Sequence, residues 1–180
     1  ATGRYDLAVV EHCDVLDLAG CLSFELPHDR MVFVSAPGLE VAGDEVGLEE
    51  LLRQRLFLKT YNGCAYRFLR RRLRQLGRGI EEFVNITYYD DLNGVIRQVV
   101  AGHGIGFVSR ELAQRELEAG TLREHILAGF GHDRPRTLLI SPRVRLTGLT
   151  RRFVGTFFES LGAELPAPLA AEQLVSLAET

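Results

Sequence analysis

Two polar segments of the sequence carry the residue types that bind small polar ligands. Thr60, Tyr61 and Asn62 follow the apolar run 56–59, and the segment 87–91 (TYYDD) follows the run 83–86. Each segment lies between a predicted strand and a predicted helix. Ligands of open α/β sheets bind outside the carboxyl ends of strands, and helix N-termini there offer backbone N–H groups to anions. A small-anion or carboxylate site and two ordinary turns explain this pattern equally well.

Cys64 is a candidate reactive thiol. It is predicted to lie at the start of a helix, three residues before Arg67, and both features favour the reactive thiolate. The alternative is a small core residue, since free cysteines are among the most buried residue types. No cysteine follows Cys64 in the sequence. We therefore expect no disulfide partner downstream and favour the structural role.

The remaining motifs do not predict catalysis. The glycine cluster 102–106 (GHGIG) ends a predicted helix and begins a strand, which is the reverse of a dinucleotide-binding fingerprint. Asp90 and Asp91 lie at a predicted helix start, where capping is the simpler role. The five histidines form no HxxxH or HExxH pair, and there is no GxSxG motif. We therefore expect no enzyme, no metal and no cofactor.

Six arginines lie in the segment from Arg67 to Arg78, which covers a predicted helix and the residues just after it. A basic patch for phosphate groups is one interpretation. The other is a solvated helix face, or pairing with acidic groups of a neighbouring subunit. We favour the second interpretation because the formal net charge of the chain is −3 and the apolar residues already form one stripe.

Alternating strands and helices must position these residues. Apolar runs predict strands at 5–10, 21–26, 30–35, 56–59, 83–86, 105–108 and 136–140, with a turn at Pro27 between the second and third. Helices are predicted near 48–53, 65–76, 92–101, 110–119 with Ser109 as the cap, and 149–161. This alternation predicts an α/β sheet with helices on its faces.

The composition is that of a soluble globular protein. Of 180 residues, 46% are hydrophobic and 25% are charged. The acidic net charge argues against a chain that wraps nucleic acid with its whole surface. No apolar run approaches the ~20 residues of a membrane span, and no signal peptide is visible. Three cysteines form no disulfide framework, so we expect a cytoplasmic protein with no membrane contact.

The order of these features resembles the effector-binding domain of LysR-type transcriptional regulators. The most specific segment, 93–127 (NGVIRQVVAGHGIGFVSRELAQRELEAGTLREHIL), is similar to the family's V-x-x-G-x-G-I-x-x-(helix)-G-x-L pattern. The runs GRYDLAVV, FELPHDRMVFVSAPG, LEELLRQRLFLKTYNGCAYRFL and RTLLISPRVRLTGLTRRFVGTFFESL resemble other parts of the same domain. The resemblance covers about residues 3–161.

The resemblance implies an α/β fold of two Rossmann-like subdomains of the periplasmic-binding-protein type. Residues 1–35 and 133–165 would form a partial effector-binding subdomain I, residues 36–132 subdomain II, and residues 166–180 a C-terminal tail. The first subdomain is expected to be incomplete, because the sequence contains no counterpart of the family's winged helix-turn-helix, linker helix and first subdomain elements. DNA binding is accordingly expected only through the winged helix-turn-helix of a full-length parent protein.

The resemblance also implies where a ligand binds. The effector would lie in the cleft between the subdomains, with Ser35 and Pro135 at the hinge crossings, and the ligand-binding residues would be Glu11, Thr60, Tyr61, Asn62, Tyr88, Tyr89 and Asp90. Glu11 would repel a carboxylate, which implies a cationic or neutral effector or a different site. Cys64 lies close to the reactive cysteine of peroxide-sensing members. Without a second cysteine downstream, only simple thiol oxidation is open to it.

The function implied is that of a ligand-sensing, co-inducer-binding domain. A small-molecule effector would change the subdomain angle and thereby the DNA binding of a full-length homo-oligomer, a dimer or tetramer. A transport-type solute-binding protein is the alternative, and it would be exported. A two-lobed enzyme ranks last, because no recognised catalytic motif connects the polar residues near the cleft.

Overall fold

The computed structural model describes residues 5–12, 20–41, 43, 45–144 and 147–170. They form a mixed α/β fold, as the alternation of apolar patterns predicts. In chain order the elements are β1 (Leu7–Glu11), β2 (Leu22–Ser35), β3 (Glu45–Val46), α1 (Leu48–Leu52), β4 (Arg55–Lys59), α2 (Cys64–Gln75), a 3-10 turn (Ile80–Glu82), β5 (Asn85–Tyr89), α3 (Leu92–Val100), β6 (Ile105–Ser109), α4 (Gln114–Glu118), β7 (Arg123–Leu127), β8 (Asp133–Ile140), α5 (Gly148–Ser160) and α6 (Ala167–Ala170).

The chain divides into two compact units. One unit is Asp29–Arg134, and the other combines Ala1–His28 with Pro135–Thr180. The long strand β2 and the strand β8 each run from one unit into the other. The effector-binding subdomains expected at 1–35 with 133–165 and at 36–132 stay predictions about function.

The sheet of the unit Asp29–Arg134 mixes parallel and antiparallel strands. β4 pairs in parallel with β5 on one side and with β6 on the other. β6 then pairs antiparallel with the second half of β2, which also pairs antiparallel with β7. The short β3 pairs in parallel with β7. The parallel strands β4, β5 and β6 therefore end at a common edge, and the loops into α2 and α3 begin there.

Side chains alternate between two faces of this sheet, as the pleat of a strand requires. On one face Val32, Val34, Phe57 and Val108 pack against α3 through its buried valines. The other face carries a cluster of phenylalanine rings whose neighbouring centroids lie 4.8 to 6.4 Å apart: Phe33, Phe107, Phe130 and Phe68 of α2. Both faces of the sheet are thus covered, which explains why the sequences of its strands are nearly continuous apolar runs.

A buried polar network joins the first and last residues of this unit. The Asp29 carboxylate accepts a 2.6 Å hydrogen bond from the Ser109 hydroxyl and pairs with the Arg134 guanidinium. Asp29 and Arg134 are both almost fully buried. Since the first and last residues of the unit form this pair, it fixes β2 and β8 against each other where they enter the unit.

The other unit is built around its own smaller core. β1 pairs antiparallel with β8, from Leu7 opposite Ile140 to Glu11 opposite Arg136. The buried core side chains come from the strands and from α5 and α6: Leu26, Leu138, Ile140, Val154, Phe158 and Leu169.

Several predicted boundaries were wrong. The strands expected at 21–26 and 30–35 are one strand, β2, because proline at position 27 is compatible with extended backbone and removes only one N–H. The strand expected at 83–86 begins instead at Asn85 and continues through Tyr89. The helix expected at 110–119 shortens to α4, because Ser109 ends β6 and its hydroxyl bonds Asp29 rather than a helix N-terminus.

Candidate functional site

The two polar segments of the sequence meet at one edge of the sheet. β4 and β5 are parallel and in register, with Lys59 opposite Tyr89. The backbone N–H of Thr60 donates a 2.8 Å hydrogen bond to the carbonyl of Tyr89, which holds the start of one loop against the end of the other strand. The structure thus brings the predicted residues Thr60, Tyr61, Asn62 and Tyr88 together.

The loop between β4 and α2 carries unusual backbone conformations. Thr60 has φ of 55° and Asn62 has φ of 59°, and they are the non-glycine residues with positive φ among the described residues. Asparagine tolerates this region, whereas a β-branched residue there is a genuine outlier. Such strain costs of the order of 1–3 kcal/mol per residue and concentrates at functional sites.

Three tyrosine rings, which we call the tyrosine triad, lie beside this loop: Tyr61, Tyr66 and Tyr88. The ring centroids of Tyr61 lie 5.2 Å from those of Tyr66 and 5.4 Å from those of Tyr88, and the remaining pair is 6.2 Å apart. Tyr66 is buried at 7% exposure, whereas Tyr61 is 67% exposed. The triad therefore has a buried base and one exposed ring.

Tyr66 is a site residue that the sequence analysis missed. It lies in the first turn of α2, within the predicted helix, and no ligand-binding role was predicted for it. Its spacing held a signal, since a tyrosine three residues before Leu69 shares the buried side of the helix.

The phenol of Tyr88 holds its proton more tightly than a free tyrosine does. Burial raises the pKa of Tyr88 above its ordinary value of 10.0, and the neighbouring phenols Tyr66 and Tyr61 raise it further. At neutral pH the phenol of Tyr88 is therefore protonated and able to donate a hydrogen bond.

The second loop is built differently. The Asp91 carboxylate accepts a 2.7 Å hydrogen bond from the Gly94 N–H and caps α3, the role favoured for this pair of acids. Asp90 is exposed beside it.

Tyr89 lies on the opposite face of the sheet from the triad, with its ring 6.1 Å from Phe57 and packed on the core below α3. Its predicted ligand role stays a prediction.

The other predicted site residues lie at separate places in the fold. Glu11 is the exposed last residue of β1, opposite Arg136 in the strand register. Ser35 is buried at the end of β2, where its hydroxyl lies 2.7 Å from Nε2 of the buried His125. Pro135 lies within β8 and begins the second segment of its unit. The ligand role of Glu11 and the hinge roles of Ser35 and Pro135 stay predictions.

Cys64 is the first residue of α2 and is half-buried. Its oxidation stays a prediction. Within the described ranges, no cluster of three or more His, Cys, Asp or Glu side chains has the geometry of a metal site. None of the described helices is both long and apolar enough to cross a membrane.

The arginines of α2 and its C-terminus have several intramolecular partners. Arg72 lies over the Phe68 ring at 5.1 Å and donates to the carbonyl of Asp133. Arg78 pairs with Glu49 and donates a 2.7 Å hydrogen bond to Glu82. A hydrogen bond from Arg78 lowers the pKa of Glu49. The pKa of Glu82 is lowered mainly by a hydrogen bond from the backbone N–H of Gly79 and, to a smaller extent, by one from Arg78.

A family comparison decides what kind of domain this is. Residues 1–162 match the LysR substrate binding domain. The chain belongs to this family. Within it, the domain is the ligand-binding regulatory part of LysR-type transcription regulators, so the family inferred from the sequence is confirmed. No curated protein sequence matches the chain.

Solved structures of LysR regulators share this fold. The regulatory domain of MetR from N. meningitidis, as a double cysteine-to-serine variant, is 19% identical with a TM-score of 0.68, over 91% of this chain and 76% of that one. The effector binding domain of QuiR in complex with shikimate is 14% identical with a TM-score of 0.68, over 88% and 73%. Full-length HypT from Salmonella typhimurium, a hypochlorite-specific regulator, is 15% identical with a TM-score of 0.64, over 89% and 53%. The periplasmic-binding-protein-like fold of this LysR domain is thereby confirmed.

Proposed function

We propose that this LysR domain senses a small polar molecule at the edge where β4 and β5 end. The observation that carries the proposal is the pair of positive-φ residues Thr60 and Asn62, of which the β-branched Thr60 is strained, on either side of the exposed Tyr61. A fold retains such strain where the surrounding structure enforces it, and binding sites are the common reason. The Thr60 hydroxyl, the Asn62 amide and the start of α2 supply the polar groups that fix a ligand.

The ligand would act on the full-length regulator through a difference in affinity between two conformations. A ligand changes such an equilibrium only by binding one state more tightly than the other. We propose that the effector shifts the arrangement of a homo-oligomer and so changes its DNA binding. The QuiR domain in complex with shikimate supports ligand sensing as the general role of such domains.

Regulation is favoured over the other candidate functions. The family match supports a regulator over a transport-type solute-binding protein. We propose no catalytic step, because the family is one of regulatory ligand-binding domains.

A ligand screen followed by matched variants tests this function. The 180-residue chain would be screened with small organic acids, sugars and amines by thermal shift, and hits would be measured by calorimetry. Thr60→Ala and Asn62→Ala should each lower the affinity for the tightest ligand by about three- to tenfold. This is the effect of losing one hydrogen bond worth about 0.5–1.5 kcal/mol. Thr156→Ala, an exposed threonine on α5, is the control and should bind normally.

Two results would contradict the proposal. Unchanged affinity in both Thr60→Ala and Asn62→Ala would show that the ligand binds elsewhere. Chemical conversion of the bound ligand by the chain would show that it is an enzyme.

A further inference from the structure

The strand β1 forms an open edge in its unit. Among the strands that the structure describes, it pairs with β8 alone and lies at the end of the strand order. The carbonyl of Asp6 accepts a 2.9 Å hydrogen bond from the N–H of Ser141. The N–H of His12 donates a 3.1 Å hydrogen bond to the carbonyl of Pro135. Because the backbone groups of an antiparallel strand alternate in direction, the even-numbered residues of β1 are the ones that hydrogen-bond to β8.

The odd-numbered residues Leu7 and Val9 therefore turn their N–H and C=O groups away from β8. Within the described ranges, these groups have no backbone partner. Natural edge strands are protected by lysine, proline or a bulge, whereas the segment Leu7–Val10 carries no charge, no proline and no bulge. The edge of β1 is thus a template for a further strand.

The apolar core of this unit reaches the open edge. Directly opposite residues of paired strands share a face, and Val9 lies opposite Leu138, a buried core residue that packs with α5. Val9 itself is 48% exposed. A strand added at β1 would cover Val9 and extend the core. The described residues of the unit carry four further exposed large apolar side chains: Tyr5, Leu22, Leu149 and Phe153.

A second copy of β1 is complementary to this edge in the antiparallel register centred on Val9. Val9 then faces Val9 of the second copy, and the two residues exchange a pair of hydrogen bonds through their outward groups. In the same register Asp6 lies opposite His12 of the second copy, at a position where opposite side chains approach closely and unlike groups attract. Parallel pairing in register would instead bring Asp6 beside Asp6 and Glu11 beside Glu11, and like charges directly opposite each other are destabilising.

From these observations we infer that β1 is a self-association surface, where two copies of this chain join edge to edge about a twofold axis through Val9. Because the axis is perpendicular to the sheet, both copies carry α5 on the same side. The pairing uses one short strand from each copy, so the dimer is weak and depends on concentration. This inference goes beyond the proposed function and does not depend on ligand binding.

Analytical ultracentrifugation of the 180-residue chain tests the inference first. The sedimentation coefficient should rise from the monomer value toward the dimer value as the concentration enters the high micromolar range. Val9→Lys places two ammonium groups opposite each other and should raise the dissociation constant of the dimer at least about tenfold. Val84→Lys, at a more exposed valine in the other unit, is the matched control and should dimerise normally.

A proline variant isolates the backbone hydrogen bonds of the interface. The N–H of Val9 faces away from β8, so Val9→Pro removes this donor and leaves every hydrogen bond between β1 and β8 in place. The dissociation constant should rise about tenfold, since both copies lose a donor. Val9→Thr keeps the N–H and should dimerise like the unaltered chain. Thermal unfolding of each variant checks that the fold itself is retained.

Cysteine cross-linking tests the register without weakening the surface. In a chain with Cys13, Cys21 and Cys64 replaced by serine, Val9→Cys should form an intermolecular disulfide with oxidised glutathione as the oxidant. The facing Cα atoms would lie about 5.5 Å apart, within the range of a disulfide. Leu7→Cys is the control, because its counterpart in the second copy would lie about 13 Å away along the strands, beyond disulfide reach.

Three results would overturn the inference. A chain that stays monomeric at every concentration has no such surface. Dimers that form equally well in Val9→Lys and Val9→Pro use another part of the molecule. Cross-linking through Leu7→Cys in place of Val9→Cys would show that the strands do not pair in the register centred on Val9.

Discussion

The two loops that follow β4 and β5 lie side by side, and each leads into the N-terminus of a helix, but they differ in capping and in backbone conformation. The loop into α3 is conventional, since Asp91 caps the helix with extended backbone and a short hydrogen bond to Gly94. The loop into α2 has no side-chain cap and places Thr60 and Asn62 at positive φ. Stability alone would favour the first arrangement, and we propose that the second loop is where this domain binds its ligand.

The largest effect on stability is expected from adding a side chain in the first turn of α3, next to the conventional loop. A Cβ added at Gly94 would lie 2.6 Å from Cδ1 of Tyr89, close to the base of that side chain. Gly94→Ala should therefore destabilise the chain by about 1–3 kcal/mol in urea unfolding, despite the better helix propensity of alanine. Gly155→Ala on α5, where a Cβ meets nothing within 4 Å, is the control and should stabilise by up to about 1 kcal/mol. Equal effects of the two variants would contradict the packing argument.

Removal of the cap should have a smaller effect on the same loop. Asp91→Ala leaves the Gly94 N–H without its side-chain acceptor, at a cost of about 1 kcal/mol in the free energy of unfolding. Ligand affinity should remain that of the unaltered chain. A loss of affinity equal to that of Thr60→Ala would show that both loops bind the ligand, and the contrast between them would disappear.

The strained loop should respond to glycine in the opposite direction. Thr60→Gly should stabilise the chain by up to about 1 kcal/mol, because glycine adopts positive φ without a steric penalty. Asn62→Gly is the matched variant and should change stability little, since asparagine tolerates this conformation. Thr60→Gly should also weaken ligand binding through loss of the hydroxyl. A destabilised Thr60→Gly would show that the threonine is not strained.

The smallest effect concerns the triad at high pH. The raised pKa of Tyr88 means that the folded chain holds its proton more tightly than the unfolded chain. Stability from this group is thus complete below pH 10 and is lost as the pH rises through the folded-state pKa. Tyr61→Phe and Tyr66→Phe should each lower the pKa of Tyr88 slightly, while burial keeps it raised, as tyrosinate absorbance would measure. An unchanged pKa in both variants would show that the phenols do not interact.

The sequence predicted the parts of the fold that depend on local patterns. The apolar stripes of α2, α3 and α5 and the run of β6 appear in the structure at the expected places. β3 and β7 were missed because their pairing is non-local and the first has two residues. Proline at 27 suggested a turn, but the chain tolerates it within a strand.

The candidate site was predictable only in part. Thr60, Tyr61 and Asn62 could be predicted, because a polar segment after an apolar run indicates a strand-to-helix loop. The positive φ of Thr60 could not be foreseen, because a β-branched residue argues against it. Tyr88 and Tyr89 were grouped as neighbours, yet strand alternation sends their rings to opposite faces of the sheet.

Ligand binding at residues 60–62 can be located directly by NMR. The backbone amides of the chain would be followed by NMR during titration with the tightest ligand from the screen. If the ligand binds where β4 and β5 end, the largest shift changes are expected at Thr60, Tyr61, Asn62 and Tyr88, with small changes around the Asp91 cap. Shift changes that leave residues 60–62 unaffected and concentrate on another part of the fold would contradict it.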